Sequence, residues 1–166
     1  TGSVANAYSG GVVAYANYTN ISGVVSDVDI TVTRVNGNWS SVGGVAGRLV
    51  NSNATNCGNE GTIHAYQYVG GITGYATGTI TGCYNGGAIT GNGYVAGIVG
   101  QTTKGVTACY NTGSITGGSY AGGGIRGYYG GFEGTVANCY NSGAVTGTNT
   151  GAIAPGANSR ISNCFY

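Results

Sequence analysis

Charged residues are nearly missing from this sequence: they make up 5% of its 166 residues, against about 25% in an ordinary soluble domain. The five Lys and Arg residues are scattered, and the formal net charge is +1. Because phosphate binding needs a concentrated basic patch, we expect no nucleic-acid partner. The chain also lacks a run of about 20 apolar residues, so we expect no membrane insertion.

Residues that favour helices are scarce as well. Methionine is absent, Leu49 is the one leucine, Lys104 is the one lysine and there is a single proline. Glycine supplies 36 residues, while Val, Ile, Thr, Tyr and Asn dominate the remainder, and these types favour strands and turns. The hydrophobic fraction of 41% is large enough to fill a core. The composition therefore predicts an all-β fold.

Two short phrases recur along the chain. The first places glycine at both ends of a short apolar segment, as in Gly71-Ile72-Thr73-Gly74. Its clear copies are residues 44–47, 71–74, 97–100 and 124–127, with weaker copies at 11–14 and 152–155. The second phrase is Cys-Tyr-Asn, at residues 83–85, 109–111 and 139–141, with weaker copies at 57–59 and 164–166.

The spacing of the phrases predicts a solenoid. Successive cysteines lie 26, 26, 30 and 25 residues apart, and apolar residues alternate at period two between the glycines. A strand of a few residues is not stable alone, but it gains a hydrogen-bond ladder when it stacks on its copies about 4.8 Å away. We therefore predict a parallel β-solenoid (β-helix) of about six coils, with roughly 26 residues per coil.

The combination of phrases resembles a known repeat. Gly-x-Ile/Val-x-Gly followed by Cys-Tyr-Asn-x-Gly-x-Ile-Thr is similar to the GLUG-motif repeats, and the resemblance covers about Tyr8 to Tyr166. Such repeats occur in large secreted and cell-wall-linked bacterial proteins. The resemblance implies a bacterial cell-surface or extracellular location. It implies no particular activity, since these repeats accompany other functional domains.

The five cysteines predict an internal column of small apolar side chains. Their number is odd, and no Cys-x-x-Cys or Cys/His cluster accompanies them. Residues 2–8 match residues 134–140, with Ala7 in place of Cys139, and a position that accepts either residue suits a buried thiol. We expect Cys57, Cys83, Cys109, Cys139 and Cys164 to be reduced core residues. Axial disulfides between neighbouring coils are the alternative.

Strand alternation places the neighbours of each cysteine. If the cysteine points inward, the following aromatic residue points outward and the next Asn points inward again. We therefore expect Asn59, Asn85, Asn111 and Asn141 to form an internal column that exchanges amide hydrogen bonds along the axis.

The outward aromatic residues are the candidate binding site. Rings on a flat face can stack on sugar rings, which makes Tyr84, Tyr110, Tyr140 and Phe165 candidate glycan-binding residues. Tyr68, Tyr94 and Tyr120 form a similar series on another face. A lesser alternative is an ice-binding face of Thr90, Thr116 and Thr146, a column that His64 interrupts.

Residues with catalytic chemistry do not recur in the repeat. Asp27 and Asp29 are two residues apart, and a carboxylate pair of this kind would suit a polysaccharide-active β-helix enzyme if one pKa were raised. We favour the simpler interpretation that the two carboxylates are solvated charges that protect an exposed strand. His64 has no second ligand at metal-binding spacing. We expect no enzyme activity, no cofactor and no metal.

Taken together, the repeat predicts a scaffold. We expect residues 1–166 to form one solenoid domain, either a piece of a longer chain or a unit of a fibre, because neither end carries a recognisable cap. The expected function is structural and adhesive, as a stalk, adhesin or fibre subunit. A carbohydrate-binding module is the alternative, with an enzyme third. The expected partners are host or environmental glycans or proteins, with end-to-end self-association.

Overall fold

The computed structural model describes residues 6–33, 39–128, 134–156 and 160–166. These residues form strands, turns and irregular segments, and each strand pairs in parallel with its equivalent in the next turn. The prediction of an all-β parallel solenoid is confirmed. The part of the chain described contains no helix long and apolar enough to cross a membrane.

Each turn of the solenoid is built from up to five short strands. The first turn contains β1 (Asn6–Gly10), β2 (Val13–Asn17), β3 (Ile21–Ser22), β4 (Val25–Ser26) and β5 (Ile30–Thr31). The second contains β6 (Trp39–Gly43), β7 (Ala46–Val50), β8 (Ala54–Thr55), β9 (Gly58–Asn59) and β10 (Ile63–Ala65). The third contains β11 (Tyr68–Gly70), β12 (Thr73–Ala76), β13 (Ile80–Thr81), β14 (Tyr84–Asn85) and β15 (Ile89–Gly91).

The remaining turns follow the same order and then become incomplete. The fourth contains β16 (Tyr94–Ala96), β17 (Val99–Thr102), β18 (Val106–Thr107), β19 (Tyr110–Asn111) and β20 (Ile115–Gly117). The fifth contains β21 (Ala121–Gly123), β22 (Val136–Ala137), β23 (Tyr140–Asn141) and β24 (Val145–Thr146). The last described strands are β25 (Thr150–Gly151) and β26 (Ile161–Ser162).

Equivalent strands stack into five sheets, which we number by their order within a turn. Sheet 1 is β1-β6-β11-β16-β21-β25, sheet 2 is β2-β7-β12-β17, sheet 3 is β3-β8-β13-β18-β22-β26, sheet 4 is β4-β9-β14-β19-β23 and sheet 5 is β5-β10-β15-β20-β24. In-register pairing places like residues above one another, as with Tyr84, Tyr110 and Tyr140 in sheet 4.

The number of turns is lower than the sequence predicted. The solenoid has about four turns of about 27 residues rather than about six coils, since within the described residues only the first four turns contain all five strands. In the fifth turn a single bridge between Val99 and Arg126 stands where a sheet 2 strand would be. The period also varies: from Tyr8 to its partner Ser41 is 33 residues, and from Tyr68 to Tyr94 is 26.

The interior holds two separate hydrophobic clusters. The larger lies between sheets 2 and 3 and contains the cysteines together with the apolar residue of the first phrase, such as Ile72 and Ile98. The smaller lies between sheets 1 and 5 and contains stacked valines and isoleucines such as Val69 and Ile89. Both clusters repeat turn by turn, so each turn buries its apolar face against the next.

A glycine of the first phrase separates these clusters. Gly74 in sheet 2 lies against the backbone of sheet 1: an added Cβ would overlap the Val42 nitrogen and lie 2.6 Å from the Tyr68 carbonyl oxygen. Gly100 is equally close, with the Val69 nitrogen 2.7 Å from the added Cβ. Glycine is needed here because no side chain fits between the two sheets. This contact brings the outer side chains of sheets 1 and 2 together.

The corner before each cysteine has a left-handed backbone. The residues there have positive φ, namely Asn56 (52°), Gly82 (65°), Ala108 (52°), Asn138 (54°) and Asn163 (49°). Glycine and asparagine tolerate this region better than other residues. The corner turns the chain from sheet 3 into sheet 4, so it aims the cysteine side chain inward.

Candidate functional site

The cysteines lie in the larger hydrophobic cluster. Cys57, Cys83, Cys109 and Cys139 are buried, Cys164 is partly buried, and all five are free thiols, so the structure contains no axial disulfides. The backbone N–H of Cys57 donates to Sγ of Cys83 at 3.4 Å, and the same contact links Cys83 to Cys109. Each thiol therefore occupies a regular place in the stack.

None of the five thiols combines a lowered pKa with access to solvent. Hydrogen bonds with neighbouring thiols lower the pKa of Cys83 and Cys139, but both side chains are buried. Contacts with the thiols of Cys139 and Cys83, together with burial, raise the pKa of Cys109. Burial also raises the pKa of Cys164. Reactive cysteines need a lowered pKa and access to solvent. These groups act as packing residues.

The asparagines form a continuous hydrogen-bonded ladder in the interior. Nδ2 of Asn59 donates to Oδ1 of Asn85, Asn85 to Asn111, and Asn111 to Asn141, each at 2.7 Å. The second Nδ2 hydrogen of each residue bonds a carbonyl two residues later, as from Asn85 to Gly87 at 2.8 Å. Asn59, Asn85 and Asn111 are fully buried. We call this set the Asn ladder.

The Asn ladder starts with an unused acceptor. Oδ1 of Asn59 is buried and has no hydrogen-bond partner among the described residues. The position above it in the first turn is Ser26, which is too short to continue the ladder. An unpaired buried acceptor costs about 1 to 3 kcal/mol.

We expect Ser26→Asn to stabilise the protein by about 1 kcal/mol, because its Nδ2 would donate to Oδ1 of Asn59. Gly11 stands beside Ser26 in the same way that Gly44 stands beside Asn59: an added Cβ on Gly11 would overlap the Ser26 hydroxyl, and one on Gly44 would overlap Oδ1 of Asn59. The missing side chain at Gly11 therefore leaves space for an asparagine at position 26. Urea denaturation measures the change in the free energy of unfolding. Ser26→Ala is the control, and equal stability of the two variants would contradict the expectation.

The glycan-binding residues predicted from the sequence lie on the outside of sheet 4. Tyr110, Tyr140 and Phe165 are 43%, 46% and 67% exposed, and Tyr84 is half-buried. Tyr84 and Tyr110 stack on each other with centroids 5.2 Å apart and planes 10° apart. One face of each of these two rings is therefore covered by the other ring.

A second aromatic surface lies where sheets 1 and 2 meet. It encloses a cavity of about 320 Å³, at the lower end of the roughly 300 to 1,000 Å³ of ligand pockets. We call it the aromatic cleft, and it is lined by Tyr8, Trp39, Ser40, Ser41, Arg48, Tyr68, Tyr75 and Gln101.

The rings of the aromatic cleft are arranged by the two sheets. Along sheet 1, Trp39 stacks on Tyr68 at 5.6 Å and 13°, and Tyr68 stacks on Tyr94 at 5.4 Å and 17°. From sheet 2, Tyr75 meets Tyr68 edge-on at 6.4 Å. Trp39 is the most open ring of the cleft, with 56% of its surface exposed.

Arg48 is the cationic group of the aromatic cleft. Its guanidinium carbon lies 4.4 Å from the ring centroid of Tyr75 and 5.4 Å from that of Tyr8, within the range of cation–π attraction. Nη1 also donates to the Tyr8 hydroxyl at 3.2 Å. The Arg48 side chain is therefore held in place between adjacent turns.

The cleft carries no negative charge of its own. None of its lining residues is acidic. Burial, helped by the nearby phenols of Tyr94 and Tyr128, raises the pKa of Tyr68 to about 12. The Tyr68 hydroxyl therefore stays neutral and can donate a hydrogen bond at physiological pH.

The other candidate groups stay apart from this cleft. Asp27 and Asp29 are exposed, and Thr62 donates from its hydroxyl and its backbone N–H to Asp29 Oδ1, both at 2.7 Å. These bonds lower the pKa of Asp29, the opposite of what a general acid needs. His64 is exposed in sheet 5, in register with Thr90. Among the described residues, no group of His, Cys, Asp and Glu could hold a metal ion.

The sequence contained a signal for the cleft that our prediction missed. The residue directly after the last glycine of the first phrase always points out of sheet 2, which places Arg48, Tyr75 and Gln101 in register. A comparison of that one position across the copies would have identified a column of large polar residues. The contact of this column with Trp39 and Tyr68 depends on the closeness of sheets 1 and 2.

Comparison of the chain with protein-family models, with curated proteins and with solved structures gives no match. Function therefore has to follow from the arrangement of the described residues.

Proposed function

We propose that this chain is a structural and adhesive repeat module of a bacterial cell-surface or secreted protein, serving as a stalk, adhesin or fibre subunit. The observation that supports this function is the Asn ladder, which runs through four consecutive turns along the axis. The residue types that recur most regularly are those that hold one turn on the next. A stiff rod made in this way suits a spacer that presents a surface at a distance.

The GLUG-motif family is part of this proposal. Each glycine of the first phrase meets a specific neighbour: an added Cβ on Gly71 would lie 2.6 Å from Oδ1 of Asn85, and one on Gly74 would lie 2.6 Å from the Tyr68 carbonyl oxygen. Close contacts of this kind occur in the four clear copies of the phrase, so packing explains why its glycines recur. Extracellular location, end-to-end self-association and the absence of enzyme activity belong to the same proposal.

Surface labelling of the source bacterium tests the proposed function. We expect an antibody against this chain to label intact, unpermeabilised cells or the culture medium, and external protease to remove the cell-bound signal. We also expect beads coated with the chain to be retained on glycan- or protein-coated surfaces more than beads coated with the heat-denatured chain. Labelling that appears only after permeabilisation would contradict the proposed location, and equal retention of both beads would contradict adhesion.

Carbohydrate recognition is a second candidate function. Exposed aromatic rings on two faces of one rigid rod favour it, because ring faces stack on sugars. Of the two faces, the aromatic cleft has the concave shape and the polar side chains of a ligand site. The sheet 4 residues Tyr110, Tyr140 and Phe165 remain candidates for a flat contact.

A further inference from the structure

The charge of Arg48 has no acidic partner in the aromatic cleft. Asp27, Asp29 and Glu60 are the acidic residues of the described part of the chain, and none of them lines the cleft. The one hydrogen bond described for the Arg48 guanidinium goes to the neutral Tyr8 hydroxyl. Since a guanidinium has five N–H donors, four remain, of which the buried Nε–H is one. The group can therefore pair with a planar anion at its outer edge.

Trp39 provides an open ring face beside this charge. It is the end member of the described stack Trp39–Tyr68–Tyr94, so only one of its faces is covered by a ring of that stack. Its 56% exposure is consistent with an accessible second face. A sugar ring packs on such a face through its C–H groups, while the Tyr68 hydroxyl and the Gln101 amide can bond its polar edge.

We propose that the aromatic cleft binds an acidic sugar of the hexuronate class. The sugar ring lies on Trp39, and its carboxylate pairs with the guanidinium of Arg48. The proposal deepens carbohydrate recognition, on which it rests, by naming the ligand class. The cavity of about 320 Å³ limits the contact to a short segment of a chain, and the glycan continues out of the open cleft into solvent.

A purely structural role of Arg48 makes different predictions. The cation–π contacts with Tyr8 and Tyr75 join neighbouring turns, and they need only the positive charge. Recognition of a carboxylate needs the two-pronged guanidinium as well. Arg48→Lys therefore separates the roles: it keeps the charge and should keep stability, whereas binding of a carboxylated sugar should weaken.

The test compares oligogalacturonate with its methyl ester, which has the same rings without the charge. Trp39 is the one tryptophan of the chain, so its fluorescence reports directly on the cleft. We expect oligogalacturonate to change this fluorescence in a saturable way and added salt to weaken the binding. The ester should bind at least about tenfold more weakly, since a hydrogen bond to a charged group contributes about 1.5 to 3 kcal/mol.

Variants assign the binding to the cleft. Arg48→Gln and Arg48→Lys should each weaken oligogalacturonate binding by at least about tenfold. Tyr18→Ala should leave it unchanged, because Tyr18 is an exposed aromatic residue that does not line the cleft. Circular dichroism establishes that each variant is folded, and the ester comparison needs no variant at all. Equal binding of acid and ester would overturn the acidic class and leave carbohydrate recognition standing. If neither sugar bound, both the hexuronate proposal and carbohydrate recognition at this cleft would be overturned.

Discussion

Replacing Asn111 with Ala should lower the free energy of unfolding by roughly 2 to 6 kcal/mol. The change removes the acceptor for Nδ2 of Asn85 and the donor to Oδ1 of Asn141, both at 2.7 Å, and the donor to the Gly113 carbonyl at 2.8 Å. Two buried acceptors, Oδ1 of Asn141 and the Gly113 carbonyl, then have no partner. Each costs about 1 to 3 kcal/mol, whereas Nδ2 of Asn85 keeps its bond to Gly87.

The buried position makes this loss large. Asn111 is completely buried, so water cannot replace the missing bonds without entering the stack. In a low-dielectric interior an unpaired polar group is especially costly, because nothing screens or solvates it. Since each turn contacts only its neighbours, the effect should be strongest in the third, fourth and fifth turns.

Urea denaturation measures the loss in the free energy of unfolding, and hydrogen exchange shows which turns are weakened. Asn20→Ala is the matched control: Asn20 is exposed, and its Oδ1 accepts a hydrogen bond from the Asn53 N–H at 2.9 Å. We expect that control to cost less than about 1 kcal/mol, since water can replace an exposed bond. If Asn111→Ala were no more destabilising than Asn20→Ala, the ladder would not hold the turns together.

Much of the fold follows from alternation and spacing alone. Side chains alternate between the two faces of a strand, which predicts that Cys83 and Asn85 point inward and Tyr84 points outward. The structure has that arrangement. The parallel stacking follows from the repeat, because like residues recur at near-constant intervals. The number of complete turns does not follow, since it depends on where irregular segments replace a strand, as in the fifth turn at Arg126.

The aromatic cleft could be predicted only in part. Tyr68 and Tyr94 were expected on one face, and their stacking at 5.4 Å follows from in-register strands. Their neighbour Tyr75 belongs to a different strand and points outward from a different sheet. Its proximity depends on how closely glycine allows sheets 1 and 2 to approach, which is a tertiary property that the local pattern of one strand does not contain.

Gly97→Ala should be among the most damaging changes of one methyl group in this protein. The added Cβ would overlap the Gly124 carbonyl oxygen of the next turn and Cγ of Asn111 in the Asn ladder. Overpacking a filled core costs about 1 to 3 kcal/mol, and occasionally more. We expect a loss of about 3 kcal/mol here, because one obstacle is backbone and the other is held by three hydrogen bonds.

Gly105→Ala in the same turn is the matched control. The nearest atom to its added Cβ is the Thr135 carbonyl oxygen at 3.4 Å, an ordinary contact, and its φ is not in the left-handed region. This variant should be as stable as the parent or up to about 1 kcal/mol more stable, because alanine restricts the unfolded chain. Urea denaturation compares the two, and a similar effect of both substitutions would contradict a specific role for Gly97.

A double-mutant cycle between Gly97 and Asn111 tests why the two phrases of the repeat occur together. In the Asn111→Ala background the clash with Cγ is gone, so Gly97→Ala should cost less than in the parent, although the overlap with the Gly124 carbonyl remains. Neighbouring residues that share a contact couple by about 0.5 to 3 kcal/mol. Coupling in that range would mean that the glycine of the first phrase is required by the asparagine of the second, whereas additive effects would mean that each phrase stacks independently.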